Sequence, residues 1–119
     1  MIGYSLTLPL GPSINHYWRK KKGGGFFISE EGVAFRKEVW LAVKQAKVPT
    51  LSGRVCVIMR VFPRDKRKID LDNRAKACLD ALQKAGVYAD DEQVDELNIS
   101  RGSIIQGGRM EVMVGEIGS

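Results

Sequence analysis

The sequence predicts an α+β domain, a mixed β-sheet backed by two α-helices in the order β(β)αβαββ, as a single domain over residues 1–119. Three observations carry this. "YSLTL" and "RVCVIMRVF" have the alternation or continuous apolar character of strands, two segments carry apolar residues at three- and four-residue spacing, and "VDELNISR" and "RMEVMVGEI" return to strand character at the end. The length suits one hydrophobic core and is short for two.

Taken in order, "YSLTL" (4–8) stops at Pro9, and the turn formers of "PLGPSINHYW" make the next stretch a loop. "RKKKGGG" (19–25) reads as a basic, flexible tip and "FFIS" as a short returning strand. Ser29 then caps a helix predicted over about Glu30 to Lys47, with Phe35, Val39, Ala42, Val43 and Ala46 on its core face and Pro49 as its stop. "RVCVIMRVF" (54–62) is apolar and β-branched enough for a central strand, closed by Pro63. "PRDKRKID" leads into a second helix striped by Leu71, Ala75, Cys78, Leu79 and Leu82, with Asp72 as N-cap and Gly86 at the left-handed C′ position. After an acidic loop, "YADDEQ", the last two strands are joined across "GSIIQGG", whose Gly107 and Gly108 suit a hairpin turn.

A 44% hydrophobic, 28% charged chain is that of a globular protein, and no apolar run approaches the ~20 residues that cross a bilayer. No membrane partner is expected, and the N-terminal stretch has no signal-peptide pattern, so a cytoplasmic location is expected. Cys56 and Cys78 lie among apolar residues with no second Cys/His pair to complete a zinc site, and read as buried free thiols. A formal charge of +5 and a pI near 9.4 favour a polyanionic partner.

Asp70 and Asp72 stand one residue apart where charged loop becomes helix. Residues two apart on a helix point about 200° from each other, whereas in extended chain they share a side. Convergence therefore needs both to precede the helix, which Asp72 as N-cap would satisfy, with Lys76 one turn above. Two readings stand: a helix cap with a solvated neighbour, or two carboxylates and an ammonium at a metal site. Asp90 and Asp91, just past the helix, are likewise either a turn or further ligands. Mg²⁺ and Mn²⁺ take oxygen ligands, and Mg²⁺ is commonly held by one or two carboxylates plus waters and phosphate oxygens. Acids beside "RDKRK" would repel a phosphate backbone unless a cation lay between them.

The whole chain resembles the RusA family of Holliday junction resolvases, in "YSLTLPLGPSINHYWR", "DLDNRAKACLDAL", "GVYADDEQV" and "GGRMEV". The D-L-D-N-x-x-K-x-x-x-D-A-L string followed by D-D-x-Q-V is its most specific part. The resemblance implies a homodimeric, metal-dependent endodeoxyribonuclease that cuts four-way DNA junctions symmetrically, with Mg²⁺ as cofactor and Mn²⁺ as a substitute. It carries over Asp70, Asp72 and Asp91 as metal ligands and Lys76 as a catalytic lysine, and leaves Asp90 in the motif without a clear role. Asn15 is placed near DNA, although the family's P-P-S-x-N stretch reads Gly11, Pro12, Ser13, Ile14, Asn15 here. Arg74, inside the motif, joins the candidate DNA contacts.

Arg64, Lys66, Arg67 and Lys68 immediately precede the candidate ligands and are read as phosphate contacts, the bland alternative being a solvated charge run. Arg19 and Lys20, continued by Lys21 and Lys22, form a candidate arm for the DNA backbone. Tyr17 and Trp18 either stack on an unpaired base or pack under the loop, and Trp40 either extends the core or meets a partner subunit. The lone His16 reads as structural. Two rivals remain, a non-catalytic basic DNA-binding module whose aspartates cap and turn, and a protein that docks an acidic partner.

Overall fold

Alternation along the longest apolar strand, β4 (Val55–Phe62), decides which way the sheet faces. Val55, Val57, Met59 and Val61 point to one side and are fully buried, while Ile58 and Arg60 are exposed on the other. In this computed structural model, which describes residues 3–118, the covered side carries both long helices. Preceding β4 are β1 (Gly3–Leu8), the one-turn α1 (Ile14–Tyr17), β2 (Trp18–Lys20), β3 (Phe26–Ile28) and α2 (Glu30–Gln45). After it come α3 (Leu71–Lys84), a 3₁₀ turn (Asp91–Gln93), β5 (Val94–Arg101) and β6 (Arg109–Glu116).

The main sheet has the order β1-β6-β4-β5, with β6 antiparallel to both neighbours and β5 parallel to β4 across the α3 crossover. The sheet is therefore mixed and backed by two helices, as the sequence predicts. The expected hairpin between the last two strands does not form. Met110, Val112 and Val114 make β6 a central, buried strand, whereas β5 is an exposed edge on the far side of β4. The 102–108 connection instead crosses the end of β4, where the Gly102 and Ile105 amides donate to the Val61 and Pro63 carbonyls. Gly107 and Gly108 do take positive φ, but to turn the chain into β6.

The helix ends differ from expectation by local chemistry. Ser29 caps α2 as predicted, its hydroxyl accepting from the Gly32 amide, but the helix stops at Gln45 because Lys47 turns left-handed and the Val48 amide closes on the Val43 carbonyl. Of its predicted stripe, Ala46 is exposed. Helix α3 begins one residue after Asp70, which is the N-cap, so Asp72 lies inside the first turn and is not the cap. At its far end Gly86 has φ 85° and the Val87 amide reaches the Leu82 carbonyl, the predicted C′ glycine. Cys56 and Cys78 are buried and free, and burial pushes the Cys78 thiol up to about 12.

Two elements escape sequence periodicity. Helix α1 is a single turn, too short to show a stripe, and β2 and β3 pair only with each other, as a separate two-stranded sheet. Trp40 remains on the solvent face of α2 with the Lys44 ammonium 5.6 Å from its ring centre.

Candidate active site

Asp70 and Asp72 are both exposed at the start of α3, but Asp72 lies inside the first turn, so the two do not both precede the helix as their convergence was expected to require. Asp70 has extended backbone (φ −92°, ψ 122°), as an N-cap should, yet its side chain makes no capping bond to the helix amides. Its one side-chain contact is from Asn73 Nδ2 at 3.4 Å. Asp72 is exposed in the first turn, and both acids sit at the positive end of the helix dipole. Lys76, four residues beyond Asp72 and so on the same face, is exposed and forms no ion pair among the described residues.

The second acidic pair divides into two roles. Asp90 caps the 3₁₀ turn in a capping box, its carboxylate accepting from the Glu92 amide at 2.9 Å while Gln93 Oε1 accepts from the Asp90 amide at 3.2 Å. Gln93 Nε2 also donates to the Leu51 and Gly53 carbonyls, both at 2.9 Å, which fixes the loop against the segment leading into β4. The Asp91 carboxylate forms no ion pair among the described residues. Partial burial, then the neighbouring Asp90 and Asp80 carboxylates, raise its pKa above the ordinary value. Its amide donates to Gln83 Oε1 at 3.1 Å, so Asp91 lies two to three turns along α3 from Asp72, roughly 11–16 Å. Within one chain Asp91 does not reach Asp70 and Asp72, and no three His, Cys, Asp or Glu side chains converge on a metal position among the described residues. Asp70 and Asp72 are exposed carboxylates of the chemical type that holds Mg²⁺, for which one or two suffice with the remaining positions open to water and phosphate.

The loop before α3 is less uniform than its charge suggests. Arg67 is spent on Asp65, through its backbone amide and a 2.7 Å ion pair, and this guanidinium holds the Asp65 carboxyl down to about 2. Arg64, Lys66 and Lys68 are exposed and unpaired among the described residues. Arg74 donates to the Gly11 carbonyl, and burial, then the nearby Arg64, lower its pKa. It is a strut between α3 and the 9–12 loop. A Cβ on Gly11 would lie 2.6 Å from the Phe35 ring, which is why this chain carries glycine at that position.

Asn15 of α1 is brought beside Arg19 and Lys20 of the β2–β3 arm. With Ile14, Trp18 and Phe26 they line an open concavity of about 810 Å³ with an apolar floor and a cationic rim. Tyr17 is fully buried and out of reach of a base, and Trp18 is half-buried edge-on to it at 5.3 Å. Two residues of the site region were not singled out from the sequence. Gln93 was legible as the fourth residue of an Asp-x-x-Gln capping box. Asp80 was legible from the four-residue spacing Asp72, Lys76, Asp80, which puts all three on one helix face.

A family model described as Endodeoxyribonuclease RusA matches residues 9–115. The crossover junction endodeoxyribonuclease of Enterobacteria phage HK97 is 39% identical over 119 residues, covering 98% of this chain and 97% of the relative. Those of Shigella sonnei (strain Ss046) and Escherichia coli (strain K12) are 39% and 38% identical over 117 residues, with the same coverage of 98% and 97%. The match runs end to end through both acidic strings, and the chain belongs to the RusA family of endodeoxyribonucleases.

Proposed function

We propose that the protein is a Mg²⁺-dependent endodeoxyribonuclease that acts as a homodimer and resolves four-way Holliday junctions by paired phosphodiester hydrolysis. Its relatives are named for crossover junction cleavage. The observation that carries the reading is Asp70, an N-cap aspartate whose carboxylate leaves the helix amides alone, beside Asp72, Lys76 and the unpaired cations of the preceding loop. A plain cap would spend its oxygens on the helix.

Asp70 and Asp72 would hold Mg²⁺, or Mn²⁺ in its place. Bound there, the ion supplies an activated water and neutralises charge at the scissile phosphate. Lys76 holds its ammonium one turn above, where it stabilises charge developing on the phosphoryl oxygens. Arg64, Lys66 and Lys68 bind the backbone and orient it across the start of α3. Two opposed strands need two centres, and each chain has one α3 start. A two-fold dimer also answers the separation within the chain. It can bring Asp91 of the partner subunit to Asp70 and Asp72, since a two-fold axis across α3 sets the end of one helix beside the start of the other. Such an enzyme works on DNA in the cytoplasm, and no helix among the described residues is long and apolar enough to cross a membrane.

The test is incubation with an end-labelled synthetic four-way junction, with and without Mg²⁺. Paired, symmetric nicks that require the metal support the reading. Junction binding without cutting in any divalent ion would make it a basic DNA-binding module.

Lys76→Ala should lower kcat by about a hundred-fold with KM for the junction within about two-fold, because its charge is assigned to the transition state. A loss confined to KM would make Lys76 an ordinary phosphate contact.

Salt dependence separates the loop cations. Lys68→Ala should flatten the slope of log affinity against log salt by about 0.9. Arg67→Ala should flatten it by clearly less, since Asp65 already neutralises that guanidinium. Titration of junction binding in Ca²⁺ measures both. Equal slopes for all three proteins would make the loop a solvated face and move the DNA path to the arm.

A further inference from the structure

The β2–β3 arm is not part of the main sheet, and an isolated two-stranded hairpin is only marginally stable in water. Something must hold it. At its base the Ser29 amide donates to the Tyr17 carbonyl at 2.9 Å, and the Ser29 hydroxyl bonds the same carbonyl at 3.1 Å, which ties the arm to α2. A polar cluster links this base to α3. The buried Tyr17 hydroxyl donates to Asp80 Oδ2, Arg36 Nε donates to the Tyr17 hydroxyl at 2.6 Å, and Arg36 Nη2 donates to Asp80 Oδ2 at 2.8 Å. The Arg36 guanidinium also lies 5.4 Å from the centres of both the Tyr17 and Trp18 rings. One carboxylate oxygen of α3 therefore gathers donors from α1 and α2, and the next residue after Tyr17 begins the arm.

Asp80 lies one turn beyond Lys76 and two beyond Asp72 on the same face of α3. It is spent on charge-assisted bonds within the protein, so it is placed to set geometry, not to touch DNA. We propose that Asp80 is a positioning residue which, through Tyr17 and Arg36, locks the β2–β3 arm to the catalytic helix and fixes Arg19 and Lys20 at a set distance from Asp72 and Lys76. This rests on the nuclease reading above. When the lock is intact, the arm is ordered before DNA arrives. When it is broken, ordering the arm is charged to the binding step, and the chemistry on the bound junction is unchanged.

The test uses Tyr17→Phe, which keeps the ring and every charge, with Asp80→Asn and Arg36→Gln as second and third variants should one fail to fold. Hydrogen exchange of the 18–28 segment should quicken about ten-fold, the scale of one charge-assisted hydrogen bond, while β4, β6 and α3 keep wild-type protection. In Mg²⁺, KM for the junction should rise about ten-fold with kcat within about two-fold. Unchanged exchange in the arm, exchange quickened equally throughout the protein, or unchanged KM would each overturn the proposal. So would a collapse of kcat in Asp80→Asn with Tyr17→Phe near wild type, which would make Asp80 a member of the reacting centre. Hydrogen exchange needs no nuclease activity. Failure of the wild type to cut junctions would therefore sink the functional reading and leave the arm lock to be judged by exchange alone.

Discussion

Asp70→Asn and Asp72→Asn should each lower junction cleavage by about a thousand-fold, at the upper end of what loss of one charge-stabilising group costs, while junction affinity should hold or rise. The two halves of this expectation have one cause. Each substitution keeps the side-chain shape and removes one negative charge. On the proposed reading that charge would hold a divalent cation, and without the cation it would repel the phosphate backbone. The fold should tolerate the change. Neither side chain is buried, Asp70 makes no capping bond, and losing an acid from the first turn costs only about 0.3–1 kcal/mol of helix-dipole interaction. Single-turnover cleavage in Mg²⁺, binding in Ca²⁺ and a thermal melt distinguish the outcomes. If either variant cuts at a tenth of the wild-type rate or better, α3 does not begin with a metal site.

Mixing Asp72→Asn and Asp91→Asn protomers, each expected to be inactive alone, should restore cutting. Asp72→Asn protomers supply an intact Asp91, Asp91→Asn protomers supply an intact Asp70 and Asp72, and each homodimer lacks a complete centre. If the centre combines the start of one α3 with Asp91 of the partner subunit, the mixed dimer holds one wild-type centre and one that lacks both residues. After subunit exchange about half of the dimers should be mixed, and these should nick one strand of the junction without the paired second cut. If all three aspartates acted within one chain, both centres of the mixed dimer would be damaged and the mixture would stay inert. The intrachain separation of two to three helical turns is what sets this expectation. Nicking assays on the separate and mixed variants decide it, with sedimentation to confirm that exchange has occurred.

Local chemistry was legible because it is written in neighbouring residues. Ser29 as a cap, Pro63 as a stop, Gly86 as a left-handed end and the stripes of α2 and α3 all depend on contacts within four or five positions. So did the acidic strings that placed the chain in its family. The error at the α3 N-cap was also local. Asp70 and Asp72 are both good capping residues, and the choice between them was made by how the chain leaves β4, which the spacing of acids does not encode.

Pairing across the sheet was of another kind. "VDELNISR" and "RMEVMVGEI" are adjacent strands with glycines between them, and nothing local says that β4 lies between them in space. That is decided by which strand buries more apolar surface against the helices, and β6, with Met110, Val112 and Val114, takes the central place. The same holds for charge. The sequence determined that "RDKRK" is basic, that three aspartates flank a lysine on and after one helix, and hence the class of chemistry. Only the tertiary structure decided that Arg74 is committed to the Gly11 carbonyl, that Tyr17 is buried on Asp80 and Arg36, and that Asp91 stands apart from Asp70 and Asp72. Residue type fixes which interactions a side chain can make, but which of them it makes depends on partners brought near by packing, and those lie tens of positions away along the chain.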